Sequence, residues 1–278
     1  MTRQPHAAPL SGWASPSRVT APVGDFIAKA LVAAELEIRK LRHDPIQLFT
    51  RAVQPVLWLT IFGQVFTQVR GIPTGNLSYI DFMTPGILAQ SVLFMSIFTG
   101  LLVIWEKDLG ILHKLMVSPA PKAALVLGKA IGAGVRCLSQ LLIIYIVAAL
   151  MGVAINWNPL AILGVALVVM LGAALFSTFS LIVACWAQTH ERVMGVGQLM
   201  MMPLFFASNA IYPISIMPAW LQVVSRLNPL TYMVDALRQL MLVEPAGSYP
   251  LGLSLGILVA VAAVLIAFCG RLYPRLVR

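Results

Sequence analysis

Residues 159–187 read PLAILGVALVVMLGAALFSTFSLIVACWA, without a single charged side chain. About 18 apolar residues in a helix already cross a ~30 Å hydrocarbon core. The run does not alternate apolar with polar residues, so a strand of a membrane barrel is excluded. It predicts a transmembrane helix over Pro159–Ala187.

Working outward, five more segments read as spans: Ile46–Gln68, broken by Pro55, then Thr84–Trp105, Ala130–Met151, Val193–Ala207 and Leu251–Gly270. The whole chain agrees, with 59% hydrophobic and 10% charged residues. Soluble domains carry about 25% charge. The fold class is therefore an all-α polytopic membrane protein, with a six-span domain over 46–270. Residues 1–24 are expected to be a disordered cytoplasmic tail, and 271–278 a cytoplasmic C-terminal tail. Residues 25–42 read as an interfacial amphipathic helix, with Ala30, Leu31 and Ala34 on the apolar arc and Lys29, Glu35 and Arg39 off it.

The net charge of +9 follows the topology and needs no nucleic acid. With the N-terminus inside, 16 of the 19 Lys and Arg residues fall in cytoplasmic segments, and only Arg70, Arg226 and Arg238 fall outside. This bias predicts a cell-membrane, multi-pass protein with both termini cytoplasmic. Cys137, Cys185 and Cys269 lie in apolar segments with no paired spacing, so neither a disulfide framework nor a metal site is expected. His6, His43, His113 and His190 are scattered, and no catalytic set is evident.

Two connections stand apart. Residues 105–119, WEKDLGILHKLMVSP, form a short mixed-charge segment between spans two and three. Asp108 reads as an N-cap with Glu106 beside it, and Leu109, Leu112, Leu115 and Met116 make an apolar ridge. Lys107, His113 and Lys114 lie on other faces, and Ser118 and Pro119 end the helix. Such a ridge suits a groove of another protein. Residues 208–250 are long and apolar and rich in proline. They read as two short re-entrant or interfacial helices near Pro218–Leu227 and Leu230–Val243, within an extracellular unit over 208–243.

Glu106, Gly110, Leu115, Ser118 and Pro119 match the pattern that follows the second span of ABC type-2 exporter permeases. Ile211-Tyr212-Pro213, Met217-Pro218-Ala219-Trp220-Leu221 and Asn228-Pro229-Leu230-Thr231-Tyr232, then Asp235 and Arg238, stand in the order of that family's second signature. The chain thus resembles that family over about residues 25–270. It looks most like daunorubicin-resistance-type permeases, with polysaccharide and lipo-oligosaccharide permeases as close relatives. The resemblance implies a homodimer, each copy bound to a cytoplasmic ABC ATPase that holds ATP and magnesium. It implies that 105–119 is the coupling helix, through Glu106, Lys107, Asp108, Gly110, Leu112, Leu115, Ser118 and Pro119. It makes Tyr212, Pro213, Pro218, Trp220, Asn228, Pro229 and Tyr232 the extracellular re-entrant motif.

The chain itself has no P-loop, since Gly128-Lys129 is followed by Ala130 and position 123 is Ala. It is expected to be no enzyme and to hold no cofactor or metal. By family analogy spans one, two and five line the path, with Arg51, Gln54, Phe62, Phe94, Phe98, Met201 and Phe205 as candidates. Arg51 and Arg136 near span ends read as snorkelling cations, or else as a basic entrance. Phenylalanines with few Trp or Tyr lean toward a hydrophobic or amphiphilic drug or lipid-like substrate. A lipid-linked glycan is the alternative, and an ion-coupled secondary carrier fits less well, because mid-membrane carboxylates are absent.

Overall fold

The computed structural model describes residues 28–35, 39, 50, 53–68, 77–110, 121–187 and 189–273. Arg51, the tails and residues 111–120 lie outside them. In chain order we name the helices α1 (28–35), α2 (53–68), α3 (Tyr79–Leu101), α4 (Val103–Asp108), α5 (Lys122–Leu150), α6 (Pro159–Ala187), α7 (His190–Phe206), α8 (Ala219–Leu227), α9 (Pro229–Met241) and α10 (Leu251–Leu272). No strand occurs among the described residues, where one isolated antiparallel bridge joins Ile155 to Leu242.

Four stretches are long and apolar enough to cross a membrane: Tyr79–Asp108, Lys122–Leu150, Pro159–Ala187 and Leu251–Leu272. The described part of the first span and α7 are shorter. The uncharged run at 159–187 forms the helix its sequence predicts. It is also the hub of the bundle, packing against α3, α5, α9 and α10. Small residues permit this. A Cβ on Gly100 would lie 2.5 Å from the Ser177 carbonyl oxygen, and one on Gly172 would lie 2.4 Å from Met233 Sδ. Between membrane helices such close approach supplies the packing energy that water supplies elsewhere. The Ser180 hydroxyl adds a hydrogen bond to the Ile97 carbonyl at 2.7 Å.

Three of the spans differ from expectation in ways that have a local cause. The second span starts earlier, at Tyr79, because Ser78 and Asp81 close its N-terminus reciprocally: Ser78 Oγ accepts from the Asp81 N–H and donates to Asp81 Oδ2. The third span begins at Lys122 rather than Ala130, so Lys122 and Lys129 are helical. The first span is not broken at Pro55. The helix runs through that residue and loosens just after it, in a π turn at Trp58–Phe62 where Gly63 N–H reaches Trp58 O.

In α1 the buried residues are Ala30 and Ala34, while Leu31 and Val32 are exposed. Ala30 and Ala33 meet Gly128 of α5, where an added Cβ would stand 2.4 Å from Ala33 Cβ. The small residues of α1 therefore face the bundle, and its bulky apolar side chains face outward. Glu35 and Arg39 form an exposed i,i+4 pair at 2.7 Å.

Candidate functional site

The segment after the second span shows how its charges are held. Helix α4 continues α3 past a turn at Leu102 and ends at Asp108, with Leu109 and then Gly110, at φ +69°, after it. Leu109 N–H donates to Trp105 O and Gly110 N–H to Lys107 O. This is a helix C-terminus that needs a left-handed residue, which glycine supplies without strain. The expected N-cap role of Asp108 is thereby corrected. Asp108 and Glu106 lie in the last turn of the preceding helix, where negative charge opposes the helix dipole. Glu106 is compensated by an ion pair with Lys129 of α5, largely shielded from solvent. Lys107 is also in that last turn, and Leu109 is exposed. Leu112, Leu115, Ser118 and Pro119 lie outside the described residues.

Glu106, Lys129 and Trp105 line a cavity of about 230 Å³ together with Arg136, Ser177 and Thr178. Arg136 is 7% exposed. It faces this cavity within the bundle, which corrects the expectation that it snorkels to lipid phosphates. The reason is the longer helix, which carries Arg136 roughly 21 Å of rise beyond Lys122.

At the opposite end of α3, the 208–250 connection is tied down residue by residue. Pro213 precedes a 3₁₀ turn at Ile214–Ile216, and Pro218 precedes α8. Asn228 caps α9 by accepting from Leu230 N–H at 3.0 Å, and its amide donates to Leu204 O of α7 at 2.6 Å. Pro229 takes the first helical position, where a missing N–H costs nothing. The Tyr212 hydroxyl donates to Phe206 O, and the Tyr232 hydroxyl donates to Arg226 O at 2.7 Å. Burial raises both phenols above their ordinary pKa. Trp220 is exposed.

Beneath these caps lies a network that the spacing of residues did not show. The fully buried Asp235 accepts from Asn209 Nδ2 at 2.6 Å and from the N–H groups of Ser248 and Tyr249 at 2.8 and 2.9 Å. Arg238 lies 3.6 Å from Asp235, donates to Phe82 O and Asn209 O, and stacks its guanidinium 3.9 Å from the Phe82 ring centre. Burial pushes the Asp235 carboxyl up, against the pull of Arg238 and its hydrogen-bond donors. Burial lowers the Arg238 guanidinium to about 10, against the opposing effect of Asp235. Gly86 brings α3 against the same turn, with a Cβ there 2.2 Å from Ala210 O.

Between these two ends, three of the predicted path residues meet in one chain of rings. Trp58 stacks on Phe62 at 4.4 Å and meets Phe205 edge-on at 6.2 Å; Phe205 meets Phe94 at 6.5 Å and Phe206 at 5.3 Å. Phe62 continues to Phe66, and Phe66 to Tyr79. Helices α2, α3 and α7 thus share one aromatic surface. Trp58 and Tyr79 belong to it although sequence reasoning passed them over. Met201 is buried on α7, whereas Met194 and Met202 are exposed. Gln54, Phe94 and Phe98 line a separate cavity of about 220 Å³ with Gln90 and Gln140. Gly197 packs toward Leu101 of α3, whereas Gly195 has open space.

Residues 29–242 match the family model for ABC-2 type transporters. The chain belongs to this family. Among curated proteins, the ABC-2 chain is 26% identical to the daunorubicin resistance ABC transporter permease protein DrrB1 of Streptomyces coeruleorubidus, over 95% of this chain and 90% of that one. It is 30% identical to a putative transport permease, ycf38, of Cyanophora paradoxa, over 77% of this chain and 74% of the other. It is 27% identical to the inner membrane transport permease YadH of Escherichia coli K12, over 80% and 87% respectively. The ABC-2 chain is thus a membrane-spanning permease of a family whose ATPase is a separate subunit.

Proposed function

We propose that this permease is the membrane half of an ATP-driven exporter that moves a hydrophobic or amphiphilic compound out of the cytoplasm or the inner leaflet. The observation that carries the reading is the ring surface of Trp58, Phe62, Phe94 and Phe205, shared by three helices. Rings and aliphatic groups make a wall that accepts varied apolar shapes without demanding a fixed hydrogen-bond pattern. Likeness to DrrB1 over 95% of the chain supports the drug class.

In this reading two copies form the transporter, both termini are cytoplasmic, and each copy binds an ABC ATPase that carries ATP and magnesium. The coupling segment 105–119 sits in a groove of the ATPase. Gly110 ends the rigid rod of the second span, so that the segment meets the ATPase at a fixed angle. The Glu106–Lys129 pair passes its movement to α5. ATP binding then shifts the bundle between inward-open and outward-open arrangements by differential affinity for the two. The 208–243 unit, stitched by Asp235 and Arg238, forms the extracellular cap.

A lipid-linked glycan is the second reading, favoured by the ring series Trp58–Phe62–Phe66, which is stacked, and its tilted continuation to Tyr79. Against it, Val53, Leu57, Ile61 and Val65 on the same helix are exposed aliphatic side chains.

Glu106→Ala and Gly110→Val test the coupling assignment. Both variants should insert normally, yet abolish ATP-dependent uptake of daunorubicin into inverted membrane vesicles of the native host. Uptake undiminished in both contradicts the assignment.

A further inference from the structure

A groove on the outside of the bundle lies apart from the coupling segment, the ring surface and the Asp235 network. It has a volume of about 630 Å³ and is lined by Leu138, Leu142, Tyr145, Ile146 and Ala149 of α5 and by Trp157 of the connection that follows. From Lys129 to Leu150, α5 rises about 32 Å, the thickness of a ~30 Å hydrocarbon core. The groove, from Leu138 to Leu150, takes the final ~18 Å of that rise, which is the depth of one leaflet.

The lip of the groove is held by the 208–250 connection and by α3. Trp157 is 61% exposed and meets Tyr145 edge-on, with 6.2 Å between ring centres. The backbone before it is fastened at three points. Asn156 N–H donates to Met241 O at 2.8 Å, Val243 N–H donates to Ala154 O at 3.0 Å, and Ala154 N–H donates to Asp81 Oδ1 at 3.1 Å. The indole is thus in place before anything binds, and indoles favour the headgroup level of a membrane. Residues 151–158 carry no charged side chain, so this connection offers no charge to a headgroup.

Within a membrane, another helix and a lipid chain compete for such a groove. Helices associate in lipid through small residues that let their backbones close in. Helix α5 spends its glycines elsewhere, Gly128 against Ala33 of α1 and Gly134 against Met170 of α6. Toward the groove it presents Leu138, Leu142, Ile146 and Leu150, four positions apart, and the last three are more than half exposed. Branched side chains standing out at each turn hold a second helix away, whereas a flexible chain lies between them.

We infer that this groove holds one acyl chain of a resident phospholipid from the leaflet on the side of the 208–250 connection, with Trp157 at the headgroup end of the chain. The lipid is a structural partner and not the exported compound. A chain in the bulk bilayer is already in an apolar medium, so hydrophobic transfer does not retain it. Packing does: between rigid walls the chain gains contacts that mobile neighbouring chains do not supply.

The test places the full-length permease in nanodiscs of palmitoyl-oleoyl phosphatidylcholine, with a small share of an analogue that carries a diazirine midway along one chain. Irradiation should put adducts on residues 138–157 well above those on the exposed face of α10. Native mass spectrometry after transfer to mild detergent should find one phospholipid kept per chain. Ala149 is the smallest lining side chain and is exposed, so Ala149→Trp fills the groove without entering the core and should abolish both signals. Ile146→Trp, deeper in the groove, is a second filling variant with the same expected loss. Val264→Trp, on the exposed face of α10, should change neither signal. Trp157→Ala removes the lip and should lower retention. Equal adducts and equal retention in both filling variants would show ordinary boundary lipid only and overturn the inference. Adducts spread evenly over the exposed helices, or residues 138–157 shielded from adducts by a second copy of the chain, would overturn it too. Displacement of the retained phospholipid by daunorubicin would make the groove a substrate site and overturn its resident role. The assay reads neither ATP hydrolysis nor transport, so its result is independent of the export reading.

Discussion

At the scale of single residues, the Asp235–Arg238 and Glu106–Lys129 pairs have unlike roles. Asp235 and Arg238 are almost wholly buried, and each is held by further hydrogen bonds. Removing one partner strands a buried charge, which costs about 3–5 kcal/mol. Asp235→Ala and Arg238→Leu should each lower the melting temperature sharply in mild detergent, and the double variant should lose much less than their sum. Additive losses would show that the two residues do not act as a unit. Glu106 and Lys129 are shielded less completely, so their coupling should be smaller than that of the fully buried pair. Glu106→Lys and Lys129→Glu should each impair stability, and the double exchange should restore it. No restoration would mean that the pair is incidental. The sequence showed Asp235 and Arg238 as the tail of a motif and Glu106 as part of another. Their partners were not legible, because Phe82 and Asn209 are far away in the chain and meet Arg238 only once α9 folds back against α3. Gln90 was missed for a different reason: a single amide inside an apolar run barely alters its hydropathy.

At the scale of elements, glycines decide which helices touch. Gly128 was notable in the sequence only because no P-loop surrounds it, whereas in the fold it is the seat of α1. Gly128→Leu should lift α1 off α5. Ala30, fully buried in the parent, reports this: an Ala30→Cys thiol should react with a maleimide many times faster in the Gly128→Leu background. Equal rates would place the contact elsewhere. Gly86→Val should disturb the outer cap in the same steric way, through Ala210 O, and expose the 208–250 connection to protease. Boundaries were legible where the sequence changed character abruptly. The fourth span was read correctly because it is uncharged from end to end and opens on Pro159 after Asn158. The third was read short because Lys122 and Lys129 look like loop residues, yet lysines are tolerated at a helix end where their heads reach a polar partner or interface. The helix at 105–119 was given an N-cap at Asp108 because capping residues look alike at either end of a helix, and only the +69° φ of Gly110 shows that one helix stops there.

At the scale of the whole molecule, hydropathy and a pair of motifs made the all-helical membrane fold and its family legible. The arrangement of the rings was not, since Trp58, Phe94 and Phe205 converge only when α2, α3 and α7 are side by side. In the proposed mechanism this permease works only when a separate ATPase grips it. The most direct measurement is to purify the tagged chain from its native host in mild detergent and determine the mass and ATPase activity of what accompanies it. The expected result is a complex with one nucleotide-binding protein per permease, hydrolysing ATP, whose association is weakened by Gly110→Val. A permease that arrives alone under several gentle conditions, and that still moves substrate in proteoliposomes without ATP, would contradict it.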